Sequence, residues 1–165
     1  IVIKGGNMNL VKLREQLEID EGIKFEIYLD HLGFKTCGIG HLVKKTDEEF
    51  DKTAGTKITK ERAYELFEQD IEMTIEDCGK LFDGFSKLHE ELQQIIANMM
   101  FNTGYTRLSK FIKFIQAIRD RDYLEAEKQM IHSRWYKQVG NRAKRLCQRM
   151  RNLAFCTVSK ANTFK

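Results

Sequence analysis

Proline is absent from the whole chain of 165 residues. Because proline interrupts helices and central strands, its absence permits long helices. No apolar run approaches the roughly 18 residues that a membrane-spanning helix requires, so no membrane span is predicted. Hydrophobic residues still make up 42% of the chain, which is enough to fill a core. We therefore expect one folding unit, mostly helical.

Cysteine is scarce, and its positions do not form a metal site. No C-x-x-C pair occurs, and the four histidines lack metal-ligand spacing, so no metal is predicted. Cys78 falls in helical phase with Ile71 and Ile75, which indicates an apolar environment. We expect buried free thiols rather than disulfides, as in a reducing compartment. The cysteines are Cys37, Cys78, Cys147 and Cys156.

Phosphate-binding glycine loops and the G-x-S-x-G elbow are also missing, which argues against nucleotide use and serine hydrolysis. Acidic residues are missing from the C-terminal end. Residues 128–165 carry ten Lys or Arg and no Asp or Glu, whereas the rest of the chain has a net charge of −6. Such asymmetry is typical of proteins with a polyanionic partner, such as a bacterial envelope or a nucleic acid. A solvated helix face is the alternative, and both fit the sequence.

The stretch from residue 19 to residue 42 contains the candidate catalytic residues. A helical period ends at Glu21, and Gly22 breaks the helix. An alternating segment then runs to Asp30, as in a half-buried strand, and a short return strand contains Thr36. Two carboxylates in different surroundings can divide into a proton donor and a charged partner, and a threonine could position a water between them. The alternative, favoured by spacing alone, is that Glu21 caps a helix and Asp30 belongs to a turn.

The same stretch resembles the signature of the phage-type lysozymes of the T-even kind, glycoside hydrolase family 24. It contains I-D-E-G-x5-Y-x-D-x2-G-x2-T-x-G-I-G-H over residues 19–41. Further matches follow in the family's order: F-E-Q-D at 67–70, N-M-M-F at 98–101, S-R-W-Y at 133–136 and N-R-A-K-R at 141–145.

This resemblance implies an α+β, mostly helical fold with two lobes. We expect an N-terminal lobe over residues 1–58, with Met8 as native start and 1–7 as an upstream extension. A linking helix over 59–79, a helical lobe over 80–155 and a tail over 156–165 follow. Locally, the pattern predicts a short helix near Asp47 to Thr53, a helix capped by Thr59 and another capped by Ser109.

The resemblance also assigns site residues. Glu21 would be the proton donor, and Asp30 and Thr36 would hold the attacking water. His41 would pair with Asp70 in a structural role, although a lone core histidine bonded to the backbone is the alternative. The cleft positions of the family fall here on Leu42, Phe101, Asn102, Phe111 and Arg142. Trp135 is expected in the core rather than on a sugar.

The implied function is hydrolysis of the β-1,4 bond between N-acetylmuramic acid and N-acetylglucosamine in peptidoglycan, with inversion of the anomeric centre. We expect a monomer that needs no cofactor and binds no nucleic acid. A phage endolysin would occupy the host cytoplasm before release to the wall; otherwise the protein would be secreted or virion-associated. The alternatives are a lytic transglycosylase on the same bond and a non-enzymatic wall- or polyanion-binding module. Asp30 and Thr36 argue against the transglycosylase, which needs no residues to hold a water, and the intact Glu21, Asp30 and Thr36 argue against the binding module.

Overall fold

The computed structural model describes the backbone of residues 8–162 and the side chains of residues 8–156. These residues form helices and one small sheet, which confirms the predicted α+β, mostly helical class. The helices are α1 (Leu10–Glu21), α2 (Lys60–Leu81), α3 (Glu90–Thr103), α4 (Tyr105–Leu108), α5 (Ile112–Arg119), α6 (Tyr123–Ile131), α7 (Arg134–Val139) and α8 (Asn141–Asn162), with a 3-10 turn at Phe85–Lys87. The strands are β1 (Lys24–Leu29), β2 (Lys35–Gly38) and β3 (His41–Leu42).

The chain divides into two compact units within α2. The sheet unit is Leu10–Thr74, and the described residues before and after it form the helical unit. The predicted lobe boundaries at residues 58 and 80 stay predictions. None of the helices in the described part of the chain is long and apolar enough to cross a membrane.

The sheet of the first unit is an antiparallel meander in the order β1-β2-β3. Tyr28 pairs with Thr36, and Thr36 pairs with Leu42 on its other side. The alternation in β1 predicted a half-buried strand, but Phe25 and Leu29 are exposed and Ile27 is buried. A register shift between Lys24 and Tyr28 explains part of this difference, because a bulge changes which side chains face the core.

The prediction of a short helix near Asp47 to Thr53 is wrong, since residues 43–59 form turns and irregular structure instead. Asp47 and Glu49 bond to partners elsewhere in the unit, and these contacts outweigh the weak local helix preference. After the turns the chain runs along the outer edge of β1. The backbone N–H of Ile27 donates to Thr56 O at 2.8 Å, and that of Ile58 to Phe25 O at 3.1 Å. Residues 56–58 therefore lie along the outer edge of the sheet.

The helical unit is built around α3 and α8. Leu92, Ile95, Ile96 and Met99 of α3 are fully buried, as is typical of a helix at the centre of a helical unit. Asp122 caps α6, because its side chain accepts the backbone N–H of Glu125.

Two predictions about this unit need correction. Ser109 does not cap the next helix: it ends α4, and α5 begins after Phe111. Gly104, with φ of 77°, ends α3, and α4 follows it directly. Helix α8 continues to Asn162, although no pattern was recognised after residue 155. The chain holds no glycine or proline there, so an established helix can propagate.

The thiol expectation is confirmed for three cysteines. Cys37, Cys78 and Cys147 are free and buried, and burial raises the pKa of Cys37 to about 11. Cys156 is also free but exposed.

Candidate active site

Glu21 is the last residue of α1, and the turn between β2 and β3 passes directly over its carboxyl group. The backbone of Gly22, with φ of 69°, ends the helix and donates to Glu18 O at 2.9 Å. Gly40 has φ of 67°, and a Cβ added there would lie 2.8 Å from Glu21 Oε2. No other residue type fits this position without displacing the carboxyl group. Glu21 is therefore positioned between a helix end and a glycine turn.

Asp30 is held by its own turn at the end of β1. Its Oδ1 accepts the backbone N–H groups of Leu32 and Phe34, each at 2.9 Å. The backbone N–H of Asp30 donates to Phe34 O at 2.9 Å, and that of Gly33 to Asp30 O at 3.0 Å. Such Asx turns fix the orientation of a carboxylate. Both acceptor bonds use Oδ1, so they orient Oδ2 as well.

Thr36 lies on the neighbouring strand, and its side chain is bonded to the same turn. It is buried, and its Oγ1 donates to Phe34 O at 3.3 Å. Phe34 therefore bonds to both Asp30 and Thr36 through its backbone. The structure brings these two predicted residues together at one end of the hairpin.

Tyr28 lies among these groups, and the sequence analysis did not assign it a role. Burial raises the pKa of Tyr28, and the negative charge of Glu21 adds to this, followed by Cys37 and Asp30. Tyr28 thus lies within electrostatic range of both proposed acids. Its place in the matched motif, two residues before Asp30 on an alternating strand, is the signal that could have identified it.

His41 lies in a cluster of four charged residues. Its Nδ1 is 2.6 Å from Asp70 Oδ2, and its Nε2 is 3.0 Å from Asp47 Oδ2. The structure therefore brings His41 and Asp70 together, as the resemblance implied, and adds Asp47, which the sequence analysis did not identify. Lys44 completes the cluster through a 3.2 Å contact from its Nζ to Asp70 Oδ1 and a 2.5 Å bond from its backbone N–H to Asp47 Oδ2.

The arrangement around His41 favours an imidazolium. A neutral ring would turn one unprotonated nitrogen towards a carboxylate oxygen, which is repulsive. Burial alone would lower the pKa of His41, but the bonds and charges of Asp70 and then Asp47 raise it above its usual value. Burial would raise the pKa of Asp47, yet His41 and the Lys44 backbone lower it.

A second ion pair fastens residues 43–59 to α2. Glu49 is 1% exposed, and the Arg62 guanidinium bonds to both of its oxygens, with Nε to Oε1 at 2.9 Å and Nη2 to Oε2 at 3.0 Å. The bond to Arg62 holds the pKa of Glu49 below its usual range, and that of Arg62 is raised. These pairs fix the segment that follows β3.

The remaining cleft positions lie in both units. Leu42 is 51% exposed on β3 in the sheet unit. In the helical unit, Asn102 Oδ1 accepts the indole N–H of Trp135 at 3.0 Å, and Trp135 is buried, as expected for a core residue.

Arg142 is buried in the helical unit. Its Nε donates to Asn98 Oδ1 at 2.7 Å and its Nη2 to Asn98 O at 3.1 Å. Phe101 is half-buried in α3, and Phe111 is half-buried immediately before α5. Substrate binding by these residues and by Leu42 and Asn102 stays a prediction.

In the part of the chain that the structure describes, no group of three or more His, Cys, Asp or Glu side chains could hold a metal ion. Carboxyl groups that are held in place, as those of Glu21 and Asp30 are, can take part in acid–base chemistry.

Comparisons with known proteins show which family the chain resembles along most of its length. The family model described as phage lysozyme matches residues 18–152. The chain is 28% identical over 153 residues to a protein named probable T4-type lysozyme 2 of Dictyostelium discoideum, covering 81% of this chain and 90% of that protein. It is 29% identical over 154 residues to the pre-baseplate central spike protein Gp5 of Enterobacteria phage T4, covering 82% of this chain and 27% of that protein. It is also 28% identical over 156 residues to peptidoglycan hydrolase gp36 of Pseudomonas phage phiKMV, covering 91% of this chain and 17% of that protein.

Proposed function

Because the chain belongs to the phage lysozyme family, we propose that it hydrolyses the β-1,4 bond between N-acetylmuramic acid and N-acetylglucosamine in peptidoglycan. It is a glycosidase of the bacterial cell wall. The observation that supports the more specific proposal is the hairpin: the backbone N–H of Phe34 bonds to Asp30 and its carbonyl oxygen to Thr36, while the glycine turn lies against Glu21.

In this proposal Glu21 protonates the glycosidic oxygen as the bond breaks. A general acid must be held in place, and the end of α1 and the turn at Gly40 do this for Glu21.

Asp30 and Thr36 would then hold the attacking water. Thr36 is a poor nucleophile without an adjacent base, but its hydroxyl can orient a water. If Asp30 shares that water, it cannot also bond to the sugar carbon, and the reaction inverts the anomeric centre. Inverting glycosidases keep their two carboxyl groups about 6.5–9.5 Å apart to leave room for the water.

Purified peptidoglycan provides the test. We expect Glu21→Gln to abolish cleavage, because it removes the donated proton while keeping the shape. Thr36→Val should reduce the rate by about 100-fold or more, and Asp30→Asn should reduce it less, because an amide can still orient water. Glu15→Gln on the exposed face of α1 is the matched control and should behave as wild type.

The products distinguish the mechanisms. Inversion gives an α reducing end, seen by proton NMR before mutarotation. A β product or a glycosyl ester on Asp30 would show a retaining enzyme, and 1,6-anhydro-muramic ends would show a transglycosylase. Cleavage by Glu21→Gln at the wild-type rate would contradict the assignment altogether.

The similarity to a phage spike protein and to a phage peptidoglycan hydrolase supports a phage-associated or secreted setting. A stay in the host cytoplasm before release to the wall remains part of the proposal.

A further inference from the structure

Tyr28 lies on the same face of the sheet as the residues proposed to hold the water. It is the cross-strand partner of Thr36, and cross-strand partners project from the same face of a sheet. Asp30 follows Tyr28 by two positions, and its backbone N–H continues the hairpin bonding to Phe34 O, so its side chain leaves that face as well. The Tyr28 side chain is half-buried there. Its ring is therefore part of the surface that Asp30 and Thr36 form.

A lysine contacts the Tyr28 ring and shows which way the ring leans. The Lys24 ammonium is 4.0 Å from the ring centroid, inside the reach of about 6 Å of a cation–π contact. The two residues are four positions apart on β1, a span of about 13 Å in an extended strand, so their side chains must lean towards each other to meet. Lys24 pairs with Gly38 and follows Glu21 by three positions. The ring therefore extends from Thr36 towards the end of α1, where Glu21 lies.

The surroundings of the Tyr28 hydroxyl agree with this direction. Burial contributes most to raising the pKa of Tyr28, and among the charged groups Glu21 contributes more than Cys37 and Asp30. The phenol therefore stays protonated at neutral pH and can donate a hydrogen bond. Within the part of the chain that the structure describes, this hydroxyl makes no hydrogen bond, so the folded state does not use its proton.

We propose that Tyr28 is a positioning residue for the proton donor, and that its hydroxyl donates a hydrogen bond to the Glu21 carboxylate as that carboxylate forms. This inference rests on the proposed function, because it concerns the same reaction step. In that step the proton of Glu21 moves to the glycosidic oxygen, the bond from this oxygen to the sugar carbon breaks with its electron pair on the oxygen, and Glu21 becomes negatively charged. Tyr28 keeps its own proton throughout. A donor aimed at charge that develops in the transition state lowers the barrier, and such bonds often tighten only when substrate is bound.

Kinetics of the full chain on soluble, peptide-free glycan strands provide the first test. Tyr28→Phe keeps the ring and its contact with Lys24 but lacks the hydroxyl. Its kcat should fall about 10- to 100-fold, the usual effect of losing one hydrogen bond to a developing charge, while KM and Tm stay close to wild type. Tyr64→Phe is the matched control, because its hydroxyl donates to Glu18 Oε1 at 2.8 Å in the same unit, and its loss should lower Tm and spare kcat. A wild-type kcat for Tyr28→Phe would overturn the proposal.

Double variants show which acid Tyr28 acts through. Glu21→Asp keeps a proton donor but draws it back by one methylene, so adding Tyr28→Phe to it should cost little more. Added to Asp30→Asn, Tyr28→Phe should cost its full factor, because the two changes then act on different steps of the site's chemistry. Full loss beside Glu21→Asp would contradict the assignment, whatever the Asp30→Asn background shows, since a merely structural role or a role at the water gives that result.

A measurement without substrate tests the same contact. Carbon-13 NMR of tyrosine labelled at Cζ follows each phenol through its titration. Because the negative charge of Glu21 helps to raise the pKa of Tyr28, this titration should move to lower pH in Glu21→Gln, whereas that of Tyr64, beside Glu18, should not move. An unchanged Tyr28 titration would refute the contact. These failures are distinct from failure of the proposed function: if wild type cuts walls and Glu21→Gln does not, the function stands even when Tyr28→Phe is fully active.

Discussion

Replacement of His41 should reveal a pH-dependent contribution to stability. His41 is 1% exposed and contacts two aspartates whose side chains are 17% and 10% exposed. Removing one partner of a buried ion pair costs about 3–5 kcal/mol. Because Lys44 still faces Asp70 in the variant, we take the lower end, about 3 kcal/mol for His41→Asn. For a chain of this size that lowers Tm by about 6–12 °C.

The sign of the pH dependence follows from the two pKa shifts. The pKa of His41 is raised on folding, so its contribution is complete below its unfolded value of about 6.5 and disappears as pH rises through the folded value. The pKa of Asp47 is lowered, so its contribution is complete above about 3.9 and disappears as pH falls through the folded value. Wild type should therefore gain most over His41→Asn between about pH 4 and 6.5.

Thermal unfolding of both proteins from pH 3 to 9 measures this difference. Imidazole ¹⁵N NMR would report directly whether both ring nitrogens of His41 carry protons at pH 7. Lys44→Met is the matched control, because it removes only the partly exposed contact to Asp70 and should cost less than about 1 kcal/mol with no step near neutral pH. A Tm difference between wild type and His41→Asn that stays constant from pH 5 to 9 would refute the reasoning.

Three further predictions concern the support of the site and the basic end. Gly40→Ala should reduce wall cleavage strongly, because its Cβ meets Glu21 Oε2, whereas Gly55→Ala, with φ of 92° and open space around it, should lose stability but keep activity. Arg62→Met should destabilise by about 3–5 kcal/mol in chemical denaturation by leaving Glu49 buried without its guanidinium, and adding Glu49→Leu should restore part of the loss. Neutralising the exposed cations of α7 and α8 should weaken sedimentation with intact walls and flatten its salt dependence, while cleavage of a short soluble oligosaccharide stays the same; equal losses on both would contradict this. The cations chosen are Arg134, Lys137 and Lys144; Arg145 and Arg151 are exposed as well, but each already interacts with another residue.

Some cations of the basic C-terminal end are already paired within the helical unit. The acid-free segment after Glu127 suggested one basic surface, but part of it is neutralised by acids from earlier in the chain. Arg149 bonds to both oxygens of Glu91, at 2.5 and 3.1 Å. Arg151 bonds to Glu127 at 3.0 Å. Sequence counts cannot show such pairs, because the partners are 58 and 24 positions apart.

The sequence was informative wherever one local rule decides the structure. The period of α1 and the glycine after Glu21 predicted the helix end at its observed position. The Thr59 cap is also present, since its Oγ1 accepts the backbone N–H of Arg62 at 3.1 Å. Where a side chain bonds to a partner that is distant in the sequence, prediction from local helix preference failed. Asp47 and Glu49 are ordinary helix-compatible acids by composition, yet their bonds to His41 and Arg62 keep the segment in turns.

In the sheet unit, backbone groups position the proposed site residues, whereas side-chain ion pairs hold the segment after β3. Asp30 and Thr36 are positioned by backbone groups of one turn, and Glu21 by the backbone of Gly40. The ion pairs of His41 and Glu49 are made by side chains, and they fasten the segment after β3 rather than the acids. Loss of an ion pair should therefore lower Tm well before it changes the rate per folded molecule. Changes at glycine positions of the hairpin should do the reverse, because backbone geometry sets the positions of Glu21, Asp30 and Thr36.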